Sequence, residues 1–156
     1  FYNRKIIDET LMNFISAKNG TRVQNTIARD VVRHCINQLM PRMKTLDISV
    51  IFKKIPEKEN TIGTCLMQDN NRSFEIEIQK GLSFDEIVKT LCHEMVHVKQ
   101  YARNEMTDSY WKGQMRWRNR FIKKNTSYSK LPWEREAYRK QNTLAKSYYN
   151  SVVDKI

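Results

Sequence analysis

Two of the three histidines in this chain stand four residues apart, in His93-Glu94-Met95-Val96-His97, within its most helical stretch. Four residues is close to one helical turn, so both imidazoles leave the same face. Any fold that buries this helix must set a polar partner against that face, because unpaired buried imidazoles are costly. The H-E-x-x-H pattern suggests the partner: two rings held this way can take two corners of a Zn²⁺ shell. Glu94, beside the first ring, is placed to take a proton from water. The expectation is a zinc-dependent hydrolase, a peptidase before others. The plain alternative is a buried helix whose histidines are merely packed.

The surrounding residues fit a helix. Ser83-Phe84-Asp85-Glu86 has the form of a capping box, with Gly81 breaking the preceding element. Ile87, Leu91, Met95, Val98 and Ala102 recur at helical spacing and predict a buried stripe over residues 83–104. A catalytic zinc site normally has three protein ligands and an open position. No histidine follows His97, and His34 lies in a separate helical stretch, where it reads as a packed residue. The third ligand is therefore expected to be a downstream carboxylate. Leu131-Pro132-Trp133-Glu134-Arg135-Glu136-Ala137-Tyr138 offers two, just inside a helix that Pro132 is suited to start. Glu134 and Glu136 differ by about 200° around a helix, so only one can face the metal.

His93 to Gln100, Tyr110-Trp111-Lys112-Gly113, and Pro132 to Ala137 together resemble the SprT-like metallopeptidases, in particular the short versions common in phage genomes. The resemblance covers roughly residues 60–145. It implies a zincin-like domain in which a glutamate helix completes the H-E-x-x-H site. In several such families the ligand stands in E-x-x-A, which here is Glu134 with Ala137. The implied set is His93, His97 and Glu134 as Zn²⁺ ligands with Glu94 as general base. The resemblance also implies a substrate peptide along a sheet edge, and substrates associated with DNA. Two departures stand out. Tyr138 occupies the place where several of these families carry an aspartate supporting a metal histidine. The third histidine and the cysteine-rich ribbon of many SprT-like proteins are missing from these residues.

The net charge of +11 favours polyanionic partners. Between Ser109 and Trp133 there are seven basic residues, Lys112, Arg116, Arg118, Arg120, Lys123, Lys124 and Lys130, and no acidic one. Trp111, Trp117, Phe121 and Tyr128 are interleaved with them. Cations can track a phosphate backbone while aromatics stack on bases. The first six cations are thus candidate nucleic-acid contacts. The competing reading is a solubilising basic loop whose aromatics pack inward. A different class of function follows if the metal is structural: a basic nucleic-acid-binding protein with a non-catalytic zinc site. Glu94 argues against it, because a structural site needs no general base.

Cys35, Cys65 and Cys92 are odd in number and widely spaced, which suits a reducing, cytoplasmic setting (the host's, for a phage protein). Cys92 is expected to serve as core packing. No apolar run is long enough to span a bilayer, and no secretory leader is expected after Phe1-Tyr2-Asn3-Arg4-Lys5. The 156 residues predict one domain and a monomer. A helix is expected over 8–18, a second from Thr21 to Leu39 with Val23, Ile27, Val31, Cys35 and Leu39 on one face, and strands over 46–53, 61–68 and 73–79. Pro56 to Asn60 reads as a loop, 110–117 as a short strand or hairpin, and Pro132 to Val153 as the closing helix. The class is α+β: a compact zincin-like domain whose small, mostly antiparallel sheet packs with the H-E-x-x-H helix and the glutamate helix.

Overall fold

Asn13 sets where the chain enters its sheet. Its side-chain amide donates to the Met43 carbonyl at 2.9 Å, and its oxygen accepts from the Leu46 N–H at 2.9 Å. The residues after it are thereby laid alongside the segment after Leu46. Strand β1 (Phe14–Lys18) pairs in parallel with β2 (Asp47–Lys53). This corrects the helix expected over 8–18: cross-strand bonds outweigh a weak local preference, and residues 8–11 lie outside the described residues. The computed structural model describes residues 12–109 and 114–154.

Between these strands runs helix α1 (Arg22–Leu39). Thr21 caps it reciprocally with Gln24, through bonds of 3.1 and 2.9 Å. Its buried residues are Ala28, Val31, Val32, Cys35 and Ile36, whereas Val23 is 57% exposed. The core stripe therefore starts a turn later than its spacing suggested and includes the 28-32-36 row. A short 3₁₀ turn (Glu57–Glu59) stands within the expected loop and leads to β3 (Gly63–Met67) and β4 (Ser73–Gln79).

The sheet order is β1-β2-β4-β3. β2 pairs with β4 in parallel, and only β3 and β4 are antiparallel. The expectation of a mostly antiparallel sheet is thus wrong for these four strands. The α1 crossover returns β2 parallel to β1, and the β3–β4 hairpin swings its first strand to the edge and its second inward. Ile48, Val50 and Phe52 pair with Phe74, Ile76 and Ile78, and all six are buried.

Helix α2 (Phe84–Ala102) carries the H-E-x-x-H residues. Ser83 and Glu86 form the capping box, with bonds of 3.2 and 3.1 Å. The helix lies against α1, β3 and β4 on one side and α3 (Pro132–Val153) on the other. Fourteen of its nineteen residues are buried, so its polar side chains must find partners inside the protein. Between α2 and α3 the chain forms an antiparallel sheet of β5 (Met106–Ser109), β6 (Gln114–Trp117) and β7 (Arg120–Phe121). Tyr110, Trp111, Lys112 and Gly113 lie outside the described residues. The whole is an α+β fold. The thiols of Cys35 and Cys92 meet in the core at 3.8 Å, and all three cysteines are free. No helix among the described residues is long and apolar enough to cross a membrane.

Candidate metal centre

Pro132 opens α3 at its first turn, where a missing N–H costs nothing. That start points Glu134 at α2. Glu134 Oε2 lies 3.2 Å from His93 Nε2, and its Oε1 lies 2.9 Å from His97 Nε2. One ligand atom from each residue falls within 4.8 Å of the others, close enough together that the three could hold a metal ion. The three residues are at most 9% exposed. Glu136, the alternative carboxylate, turns away and pairs with Lys99 at 2.9 Å and Arg118 at 3.1 Å.

The far side of each imidazole is also held. His93 Nδ1 is 2.8 Å from Gln141 Oε1, and His97 Nδ1 is 2.8 Å from Gln100 Oε1. An amide oxygen only accepts, so each Nδ1 carries a proton and each Nε2 is left to face Glu134. Two nitrogen lone pairs converging on a carboxylate repel it unless a cation or protons lie between them. Burial opposes charging His97, but Glu134 and Glu94 outweigh it and raise its pKa. Burial pushes the Glu134 carboxyl up, yet its bonds to His93 and His97 hold it well below the usual carboxylate range. Two imidazoles and a carboxylate form a donor set suited to a first-row divalent cation, and the protons that replace one are easily displaced.

Glu94 is 6% exposed and lines the same cleft. Burial raises its pKa, partly opposed by the two histidines. The cleft has a volume of about 1440 Å³. That exceeds a small-molecule pocket, commonly about 300–1,000 Å³. Its walls include Gly63, Thr64 and Cys65 of the edge strand, Met106, Met115 and Trp133. A cavity of about 580 Å³ adjoins it, sharing Tyr128, Glu134 and Tyr138 and carrying Arg135 and Arg139.

Sequence reasoning missed three participants. Gln100 and Gln141 supply the histidine support that Tyr138 cannot, but glutamine carries no spacing signal. The Tyr128 hydroxyl donates to Glu134 Oε2 at 2.6 Å. Only its place six residues before Glu134, at a turn leading into α3, hints at this. Tyr138 packs edge-on against His93, with ring centroids 4.7 Å apart. Tyr101 lines the cleft, its pKa raised to about 12 by burial. Tyr110 lies outside the described residues. His34 stands apart from the cluster, bonded to Ser147 at 3.0 Å and edge-on to Tyr148.

The basic segment divides. Arg116 lies over Phe121 at 5.5 Å and Arg118 over Trp117 at 4.9 Å. Trp117 packs against Trp133 with centroids 6.4 Å apart. Trp117 and Trp133 are half-buried, whereas Phe121 and Tyr128 are exposed, so the aromatics do not all pack inward. Arg120, Lys123 and Lys124 are exposed. Lys112 lies outside the described residues. Comparison with protein-family models, curated proteins and solved structures finds no match to this chain.

Proposed function

We propose that this protein is a zinc-dependent metallopeptidase of zincin type, related to the SprT-like group its motifs resemble. One observation carries the reading. Glu134, reached through a separate helix, faces both histidines of H-E-x-x-H, while Glu94 between them opens on the same cleft. His93, His97 and Glu134 would hold the zinc, which supplies Lewis acidity toward a carbonyl oxygen and a lowered pKa for water.

The protein's own residues do the rest. Gln141 and Gln100 orient the two imidazoles. Glu94, made more basic by burial, takes the proton of the attacking water and passes it to the leaving amine. β3 is a sheet edge, so its free backbone groups can align an extended peptide over the centre without demanding a sequence. Tyr138 and Tyr101 line the cleft and offer hydroxyls to stabilise an oxyanion.

The reading extends to DNA-associated protein substrates through Arg120, Lys123 and Lys124. Each phosphate neutralised should contribute about −0.9 to the slope of log affinity for duplex DNA against log salt. A flat slope would remove DNA from the proposal. The test of catalysis is Glu94→Gln. It should bind zinc as tightly as the wild type and cleave an unfolded protein substrate at least about 10²-fold more slowly. Equal cleavage would refute the role of Glu94. An inactive wild type that binds both zinc and DNA would instead make this a nucleic-acid-binding protein with a non-catalytic metal.

A further inference from the structure

α2 and α3 bury a second polar cluster behind the histidines, centred on Glu136, which is 3% exposed. Its Oε1 accepts from Lys99 Nζ at 2.9 Å and from Gln100 Nε2 at 3.0 Å, and its Oε2 accepts from Arg118 at 3.1 Å. Lys99 pairs in addition with Glu105 at 2.8 Å. As ion pairing alone, the cluster would simply tie the small sheet to two helices.

Gln100 gives it a second consequence. This side chain is wholly buried and uses both ends of its amide. Nε2 donates to Glu136 and to the Trp133 carbonyl, the latter at 3.0 Å, while Oε1 lies 2.8 Å from His97 Nδ1. A carboxylate and a carbonyl only accept, so the amide cannot turn round. Its oxygen is committed to His97, Nδ1 keeps its proton, and Nε2 is the atom left facing Glu134.

We infer that Glu136 is a positioning residue for His97, acting through Gln100: it fixes the amide that sets the tautomer and ring plane of the metal-facing histidine. The two glutamates of α3 thus divide the work. Glu134 faces the ion, and Glu136 holds one of its ligands from behind. Removing a group that orients a metal histidine typically costs about 10–100-fold in metal affinity. The inference rests on the metal-centre reading but not on peptidase activity.

Zinc affinity, measured by competition with a chromogenic chelator, tests it alongside thermal unfolding of the metal-free protein. Gln100→Met should weaken zinc binding by about 10–100-fold. Glu136→Met should weaken it by a similar factor, but by nothing further in the Gln100→Met background, because both act on one bond. Glu136→Gln should lower stability by losing its charge opposite Lys99, yet keep zinc affinity within about threefold, since its amide oxygen can still accept from Gln100. That separation is what a merely structural role would not produce. Losses that multiply in the double variant would overturn the inference, as would full zinc affinity in Gln100→Met, the variant that removes no charge. A wild type that fails to bind zinc would overturn the metal centre and this inference together. A wild type that binds zinc but cleaves no protein would overturn only the peptidase.

Discussion

Gly63 brings the edge strand across α2 with no room for a side chain. A Cβ at this position would lie 2.5 Å from Thr90 Cγ2, 3.5 Å from Glu94 Cγ and 3.5 Å from Glu94 Oε1. Carbon atoms are comfortable at about 3.5–4.0 Å, so Gly63→Ala requires the two carbons to part by about 1 Å, by moving β3 off α2 or by turning the stiff, β-branched Thr90 side chain. Overpacking of this kind costs about 1–3 kcal/mol. The narrower unfolded ensemble of alanine offsets about 0.4–1 kcal/mol. The net loss should be about 1–2 kcal/mol, a fall in Tm of about 2–8 °C for a chain of this length. The nearest atom belongs to a side chain, so the strain has a specific cure. Thr90→Ser deletes the offending methyl and should itself cost about 0.8 kcal/mol. With Cγ2 gone the clash disappears while the alanine's entropic gain remains. The double variant should then be at least as stable as Thr90→Ser alone, giving a coupling of about 2 kcal/mol. Urea unfolding of the four proteins measures this directly. Effects that add to within about 0.5 kcal/mol would refute the claimed contact. The same 1 Å matters to function in the proposed peptidase, since misplacing a catalytic group by that much can cost about 10²-fold in rate.

Zinc at 100 times its Kd should stabilise the protein by about 2.7 kcal/mol, a rise in Tm of about 5–11 °C that a chelator reverses. In Glu134→Ala that rise should disappear at the same zinc concentration; its persistence would remove Glu134 from the ligand set. Tyr128→Phe deprives Glu134 of a 2.6 Å hydroxyl donor, and should lower zinc affinity by about 10-fold with the fold intact by circular dichroism. Ser83→Ala removes the cap of α2 and should cost about 0.5–2 kcal/mol in urea unfolding, whereas an unchanged midpoint would show the cap to be idle.

The parts of this fold that could be read from the sequence are those with local chemistry. The capping box at Ser83 begins α2 where expected, and Pro132 begins α3. The alternation of Phe74, Ile76 and Ile78 gave β4 its buried face. The His93-His97-Glu134 cluster was legible as a candidate because H-E-x-x-H puts two side chains on one face, and the E-x-x-A of the resemblance singled out one of two glutamates. What could not be read depends on contacts distant in sequence. β1 exists because Asn13 reaches Met43 and Leu46, some thirty residues away. The parallel β1–β2 pairing followed from that missed strand, and the parallel β2–β4 pairing from the hairpin's setting β4 rather than β3 beside β2. Gln100 and Gln141 act through amides that look the same in sequence whether they support a metal histidine or face water.

The amphipathic stripe read along α2 was correct, yet it undersold the helix. Ile87, Leu91, Met95, Val98 and Ala102 are all at most 1% exposed, but so deeply packed a helix also buries its opposite face. That face holds His93, His97 and Gln100, which α3 meets, while Lys99 and Glu94 flank it, Glu94 on the side of the edge strand. A helix buried all round is ordinarily apolar all round. Here the polar residues break the pattern in a cluster, and α3 answers with Glu134, Glu136 and Gln141. Stability alone would favour apolar residues at such positions, because buried ion pairs seldom recover their full desolvation cost. The violation is confined to the residues that surround the candidate ion and to those that hold them. Local rules that fail together, in one place and with partners supplied for both histidines, Lys99 and Gln100, point to a site rather than a defect.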